Sequence, residues 1–295
     1  MLASATLLVA LASGCGEETT APDDDTDRTI EFPGEVADLQ AAVEQAAPGD
    51  TVLVAPGSHV IGSRVRVTSA KADVTILGAK DTAHGGDGRP VLVFTLSSNN
   101  DAITIEAEGV RIEGLEITGA YSSGVVVRES DAVITDCVIR GAIRYGVSCA
   151  TDESDALVER NVIVDAGLFG VHCVGGAPPL VQRNTIVGAG DCGIYSFGAT
   201  PTCRRNIVAD SANLGIACFG PGFPTIDCNC LFGSGNGDYS QECTPGKSDV
   251  LADPRFCDMT SFTLFVDSPC TAANAGACGA IGAVDEVCAL AVASR

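Results

Sequence analysis

The sequence predicts an all-β solenoid, a chain wound into stacked coils, and three columns of residues predict it. Glycines recur at Gly124, Gly146, Gly170, Gly193 and Gly215, with spacings of 22, 24, 23 and 22 residues. Nine residues before each glycine stand Leu115, Cys137, Asn161, Asn184 and Asn206, and Asn229 continues that column. Three residues earlier again the chain is apolar or cysteine: Ile112, Ile134, Val158, Val181, Cys203 and Ile226. A repeat of this period marks a fold in which no single unit buries its own inner face, so units stack and each column becomes a ladder of like residues. The repeats carry no helical periodicity and no leucine-rich consensus, which sets aside helical and leucine-rich solenoids.

Each column has an expected job. The glycines suit a backbone position of positive φ or tight curvature. Asn161, Asn184, Asn206 and Asn229 suit a buried amide ladder, each side chain bonding its neighbours about 4.8 Å away, the spacing of strands in a sheet. Cys149, Cys173 and Cys218, three residues after their glycines with Ser196 on the remaining rung, are expected to point inward as small apolar groups.

The composition agrees. The chain of 295 residues has 34 Gly, no Trp and a 46% apolar content carried mainly by Val, Ile, Leu, Ala and Cys. Small and β-branched residues suit thin repetitive sheets. A net charge of -21 argues against nucleic acid as a partner and favours a soluble monomer. Fourteen cysteines imply an oxidising compartment. The Cys-X-Cys at Cys228 and Cys230 stands without a paired Cys-X-X-Cys and with only three His in the chain, so no zinc site is expected. Residues 1–15 form an apolar stretch shorter than the roughly twenty residues that span a bilayer. Ala12-Ser13-Gly14-Cys15 resembles the bacterial lipobox, which implies cleavage before Cys15 and a lipid on it. The alternative is an ordinary secretory signal; either way the expectation is export. The polar, acidic residues 16–29 read as a disordered linker whose Asp residues offer a weak calcium alternative. Leu39, Val43 and Ala46 lie on one face of a short helix stopped at Pro48-Gly49, followed by a strand over Thr51 to Val54. Coils are expected over 30–240 and a cysteine-rich cap over 241–295.

This pattern resembles the pectin-lyase-like right-handed parallel β-helix family, in its bacterial parallel β-helix repeat branch, over about Ile30 to Gly282. The resemblance implies a right-handed parallel β-helix with a short N-terminal capping helix and a disulfide-rich C-terminal closure. By proximity in the chain, Cys257 is expected to pair with Cys270, Cys278 with Cys288, and Cys228 or Cys230 with Cys243. Enzymes of this family process long glycans laid along the outside of the coils. Its pectate lyases use Asp-bound calcium and an Arg or Lys base, its polygalacturonases Asp carboxylates, and its alginate epimerases an Asp-Pro-His-Asp motif. That last motif is absent, and no stretch matches the other two closely enough to carry residues over.

The remaining chemistry lies in outward columns. Arg160, Arg183 and Arg205 stack on successive coils with Arg204 beside them, a basic stripe suited to bidentate capture of carboxylate or sulfate, or else a surface salt-bridge network with Asp136, Glu159 and Asp227. His172 and Tyr195 are neighbours on one strand face, a base and an acid or sugar platform by chemistry, or simple packing. Asp165 and Asp210 share a column two coils apart, about 9–10 Å by strand spacing, at the upper edge for an inverting glycosidase pair. Thr151 to Asp155 is an acidic turn where calcium is an alternative to plain solvation, and Gly85 to Gly88 beside His84 reads as a loop. Two functions follow: a surface protein that binds or processes acidic polysaccharide, as a lyase or glycoside hydrolase if it is an enzyme, or a non-catalytic structural or adhesive module. Few outward aromatics and short turns favour the second.

Overall fold

A computed structural model describes residues 27–81, 88–97, 100–151, 154–176 and 178–289. Cys15, most of the linker, His84 with Gly85 and Gly86, and part of the 151–155 turn lie outside the described residues. The body is a parallel β-helix of three long sheets, with nine, eight and eight strands, in which every neighbouring pair is parallel and joins one coil to the next. The expected register is the observed one. Ile112, Ile134, Val158, Val181, Cys203 and Ile226 are consecutive partners on the first sheet, and Ile117, Ile139, Ile163, Ile186, Val208 and Leu231 on the second. Both rows are buried and belong to one continuous core. Each such side chain contributes about 1.5–3 kcal/mol by leaving water.

The strand expected over Thr51 to Val54 is the second strand of the coils, not the first. A strand over Thr29–Phe32 pairs with Thr51–Val54, so the chain enters the solenoid before the helix rather than after it. The helix Leu39–Gln45 is capped by Asp38, whose carboxylate accepts from the Ala41 amide at 3.0 Å. Its Leu39, Ala42 and Val43 close the open N-terminal end of the core, covering strand edges that would otherwise invite pairing.

Sheet one turns into sheet two through two residues. The first of them, Asp136, Arg160, Arg183, Arg205 and Cys228 on successive coils, has φ between 49° and 61°. Left-handed backbone is costly for side chains of this kind. The second residue holds the turn: Asn161, Asn184, Asn206 and Asn229 are fully buried. Each Asn Oδ1 accepts from the backbone N–H of the coil before it, as Asn184 does from Asn161 at 3.0 Å, and each Nδ2 donates to the Oδ1 of the next coil. The ladder starts at the Cys137 amide and ends on Asp249, which accepts from the Asn229 amide at 2.7 Å.

The glycine column serves close approach, not positive φ. None of Gly124, Gly146, Gly170, Gly193 or Gly215 has left-handed backbone. A Cβ on Gly170 would stand 2.3 Å from Ile186 Cγ2 and 2.7 Å from the Gly193 carbonyl oxygen. The corner is too tight for a methyl group.

The C-terminal region differs most from expectation. Residues around Cys243 and Asp249 close the last coil, with Cys218–Cys243 across it. From about residue 253 the chain folds back along the outside of the second sheet as a flank with its own three-stranded sheet. Phe262 and Ala283 of the flank cover Val138, Val162, Val164, Val187 and Ala209. That cover explains why the outward positions of the second sheet are apolar. The expected disulfides are corrected accordingly: Cys257 pairs with Cys288, and Cys278 with Cys228. Cys243 pairs with Cys218, which is therefore not a free apolar filler. Neighbours along the chain are poor guides here, because the fold-back brings the 278 turn against the coil corner at Cys228. Cys230 and Cys270 are buried thiols, as are Cys137, Cys149, Cys173, Cys192 and Cys203.

Candidate functional site: the outer face of the third sheet

The third sheet is formed by Ser123–Val127, Tyr145–Ala150, Phe169–Val174, Ile194–Phe197 and Leu214–Phe219, with further strands on either side. Side chains alternate along a strand, so Val147, Val171, Ile194 and Ile216 enter the core while His172 and Tyr195 face outward; Tyr145 and Phe169, just before the glycines, depart from that alternation and stack on the same outer rings. These four rings stack with planes within 18° of one another. Tyr145 lies 4.1 Å from His172 and Phe169 lies 4.2 Å from Tyr195, centroid to centroid. Phe219 extends the row at 5.7 Å from Tyr195. The expectation of few outward aromatics is thus wrong for this face. The rings come from three different columns, so no single column reads as aromatic, and only the fold sets them side by side.

The row has polar and apolar borders. The Arg144 guanidinium sits 4.9 Å from the Tyr145 ring centroid and donates to its hydroxyl at 2.9 Å. On following coils the Arg144 column continues through Leu168, Asp191, Asn213 and Asn236 by backbone bonds from one coil to the next. Asn213 donates to Asp191 at 2.7 Å, and Asn236 donates to Asn213 at 2.9 Å, giving a second, exposed amide ladder. Tyr121 and Ile143 at one edge and Phe197 at the other are 41%, 53% and 52% exposed. Exposed aromatic and aliphatic side chains thus border the ring stack on both edges of this face.

His172 and Tyr195 are brought together as expected, 5.8 Å apart, but inside this stack. His172 Nδ1 shares a hydrogen bond with Ser148 Oγ at 3.0 Å. Burial, aided by the Arg144 charge, pushes the imidazole down to about 4. Burial also raises the Tyr195 hydroxyl. Both groups are therefore uncharged at neutral pH. A general base works best with a pKa near the operating pH, so the pair is suited to recognition more than to proton abstraction.

The other sequence candidates fall elsewhere. Asp165 and Asp210 both occupy left-handed corner positions after the second sheet. Gly188 lies on the coil between them, and a Cβ there would stand 2.5 Å from Asp165 Oδ1. The Asp165 carboxylate thus lies over the backbone of the next coil, and Asp210 lies in the same way over Gly233. Asp210 also lines a cavity of about 270 Å³ with Phe232, Asp253, Arg255 and Phe256 at the edge of the flank. In the basic stripe, Arg160 bonds Asp136 at 3.1 Å and Asp285 of the flank at 3.0 Å, and Arg183 pairs with the other oxygen of Asp285. Arg204 donates to Gln182 at 2.8 Å, and Gln182 donates to Glu159. Two of the three stacked arginines therefore dock the protein's own C-terminal flank. The signal missed in the sequence was Asp285 itself, about a hundred residues from Arg183.

Among the described residues, no group of three or more His, Cys, Asp or Glu side chains is placed to hold a metal ion. In the acidic turn, Thr151 and Ser154 hydroxyls bond each other at 2.9 Å and both accept from the Glu129 amide. Among the described residues, no helix is long and apolar enough to cross a membrane. The three disulfides among the described residues are consistent with an exported protein.

Residues 101–245 match the family described as the right handed beta helix region. No curated protein matches this chain in sequence. Among solved structures, ORF18 of Geobacillus virus E2 is similar at 13% identity and a TM-score of 0.44, covering 68% of this chain and 48% of its own. The PL6 family alginate lyase AlyGC is similar at 12% identity and a TM-score of 0.46, covering 72% of this chain and 40% of its own. The chain spans less than half the length of either. The coil register and the match over its central repeats together show that the coiled body of this chain is a right-handed parallel β-helix.

Proposed function

We propose that the protein is an exported glycan-binding module whose binding face is the outer surface of the third sheet. The observation that carries the reading is the pair of parallel rows along the solenoid axis. One row is aromatic, Tyr145, Phe169, His172, Tyr195 and Phe219. The other is a hydrogen-bonding row, Asp191, Asn213 and Asn236. A sugar chain presents apolar C–H surface and hydroxyl edges side by side, and a surface that repeats both features once per coil matches a polymer better than a small molecule. Arg144 and the tyrosine hydroxyls add donors along the same path. The uncharged His172–Tyr195 pair favours retention over cleavage. The Arg160–Arg183 stripe contributes to holding the flank, which moves the binding face away from it. Arg204, on a strand of the first sheet, and Arg205, at the corner that follows it, lie off this face.

The test is affinity electrophoresis through a panel of neutral and acidic polysaccharides, with release of reducing and unsaturated ends recorded in parallel. The Phe169→Ala/Tyr195→Ala double variant is expected to lose about tenfold or more in affinity, from two ring contacts of about 0.5–1.5 kcal/mol each. Arg204→Ala/Arg205→Ala is expected to bind as wild type. Loss in the arginine variant with full retention in the aromatic one would move the site to the corner between sheets one and two and refute this face.

A further inference from the structure

We propose that Cys230 and Cys270 form a fourth disulfide, a covalent lock between the coils and the flank. Both side chains are fully buried, in one cluster with Ile207, Leu264, Cys278 and Ile281 at the seam where the flank meets the last coils. Cys230 stands on the outer side of the strand Cys230–Phe232, since its neighbour Leu231 belongs to the inner core. Cys270 is held from both sides. Its amide donates to Ser268 Oγ at 3.1 Å, that hydroxyl donates to the Pro254 carbonyl at 2.6 Å, and the Ile281 amide donates to the Cys270 carbonyl at 2.9 Å. The two segments are already tied together, because Cys228 is bonded to Cys278. Their relative position is thus fixed covalently two residues from one thiol and eight from the other. The two thiols are hydrogen-bond partners, and this contact with burial raises Cys230 far above an ordinary thiol.

The interior pair Cys149 and Cys173 makes a useful contrast. These are also thiol neighbours, on adjacent strands, but they lie inside the coils, where no surface segment can lift to admit an oxidant. Cys230 and Cys270 lie under a flank that has a separate small sheet and meets the coils across a seam. In the closed state both thiols are fully buried and shielded from any oxidant. The bond therefore forms while the flank is docking. One thiolate attacks a disulfide oxidant, such as oxidised glutathione or the active-site disulfide of an oxidoreductase, and expels one thiol. The second thiolate then attacks the mixed disulfide and expels the other, so two protons and two electrons leave the pair in all.

The experiment is differential alkylation of the full chain refolded in a glutathione redox buffer. Free thiols are blocked with N-ethylmaleimide in denaturant, disulfides are then reduced and labelled with iodoacetamide, and each cysteine is read by peptide fragmentation. It is scored on the species in which Cys257 and Cys288 carry the disulfide label. Cys230 and Cys270 are expected to carry that label too, while Cys137, Cys149, Cys173, Cys192 and Cys203 carry maleimide. In Cys270→Ser, Cys230 is expected to switch to maleimide with the other three disulfides unchanged. Maleimide on both Cys230 and Cys270 in the wild type would overturn the proposal. So would a disulfide label on Cys230 that persists in Cys270→Ser.

Discussion

Replacing Asn184 with Ala interrupts the buried amide ladder at its centre, and the cost follows from the bonds it breaks. Asn184 Oδ1 accepts from the Asn161 amide at 3.0 Å and from Asn161 Nδ2 at 3.1 Å. Its Nδ2 donates to the Val158 carbonyl at 2.8 Å and to Asn206 Oδ1 at 3.0 Å. Asn161 Nδ2 keeps the Ile134 carbonyl, and Asn206 Oδ1 keeps the Asn184 backbone amide. The Asn161 backbone N–H keeps nothing. An orphaned buried donor costs about 1–3 kcal/mol, and each further hydrogen bond lost costs about 0.5–1.5 kcal/mol. With one orphaned donor and three further bonds lost, the expected loss is about 2.5–7.5 kcal/mol by simple addition, with no gain from the small cavity left behind. Urea unfolding followed by circular dichroism measures it as a lower midpoint, with the slope reporting whether the solenoid still unfolds as one unit. Hydrogen exchange adds a local test, since the Asn161 amide should lose protection more than amides several coils away. A loss under about 0.5 kcal/mol, the range of an ordinary surface change, with Asn161 still protected, would refute the ladder as a structural support.

Two more perturbations probe other parts of the design. Gly170→Ala places a methyl group against Ile186 and the Gly193 carbonyl, and overpacking of this kind costs about 1–3 kcal/mol; unfolding midpoints no lower than wild type would show that the corner can open. Burial raises the Asp285 carboxyl, but the hydrogen bond from Arg160 and the charges of Arg183 and Arg160 outweigh it and hold its pKa below the ordinary 3.8. A depressed folded pKa means that its contribution is present above the unfolded value and is lost as pH falls through the folded one. Flank docking should therefore weaken in acid below pH 3.8, read as exchange of the Ala283 amide, which donates to Thr185 Oγ1. Asp285→Asn should remove that acid step, and an unchanged acid dependence in the variant would place the step elsewhere.

By itself, the sequence determined the solenoid, its coil period, the inward apolar rows and the asparagine ladder. All of these repeat with the coil, and stacking turns a period in sequence directly into a contact in space. It also determined the short N-terminal helix and its stop, which rest on local capping and a Pro-Gly break. What only the tertiary structure decided has no period. The flank lies against the second sheet because residues 253–288 fold back over Val138, Val162, Val164 and Val187. Nothing local in the sequence says which distant segment covers those residues. The same fold-back decided the disulfide partners and gave Arg160 and Arg183 to Asp285. The aromatic face was hidden for a related reason. Tyr145 and Phe169 precede their glycines by one residue, His172 and Tyr195 follow theirs by two, and Phe219 follows its own by four, so each column reads as mixed. Strand alternation points the second and third of these columns outward, the residues before the glycines depart from it to join them, and diagonal packing between coils then assembles the stack. Ladders along a column are written in the sequence; contacts between columns, and between the coils and a segment outside the repeat, are set by shape.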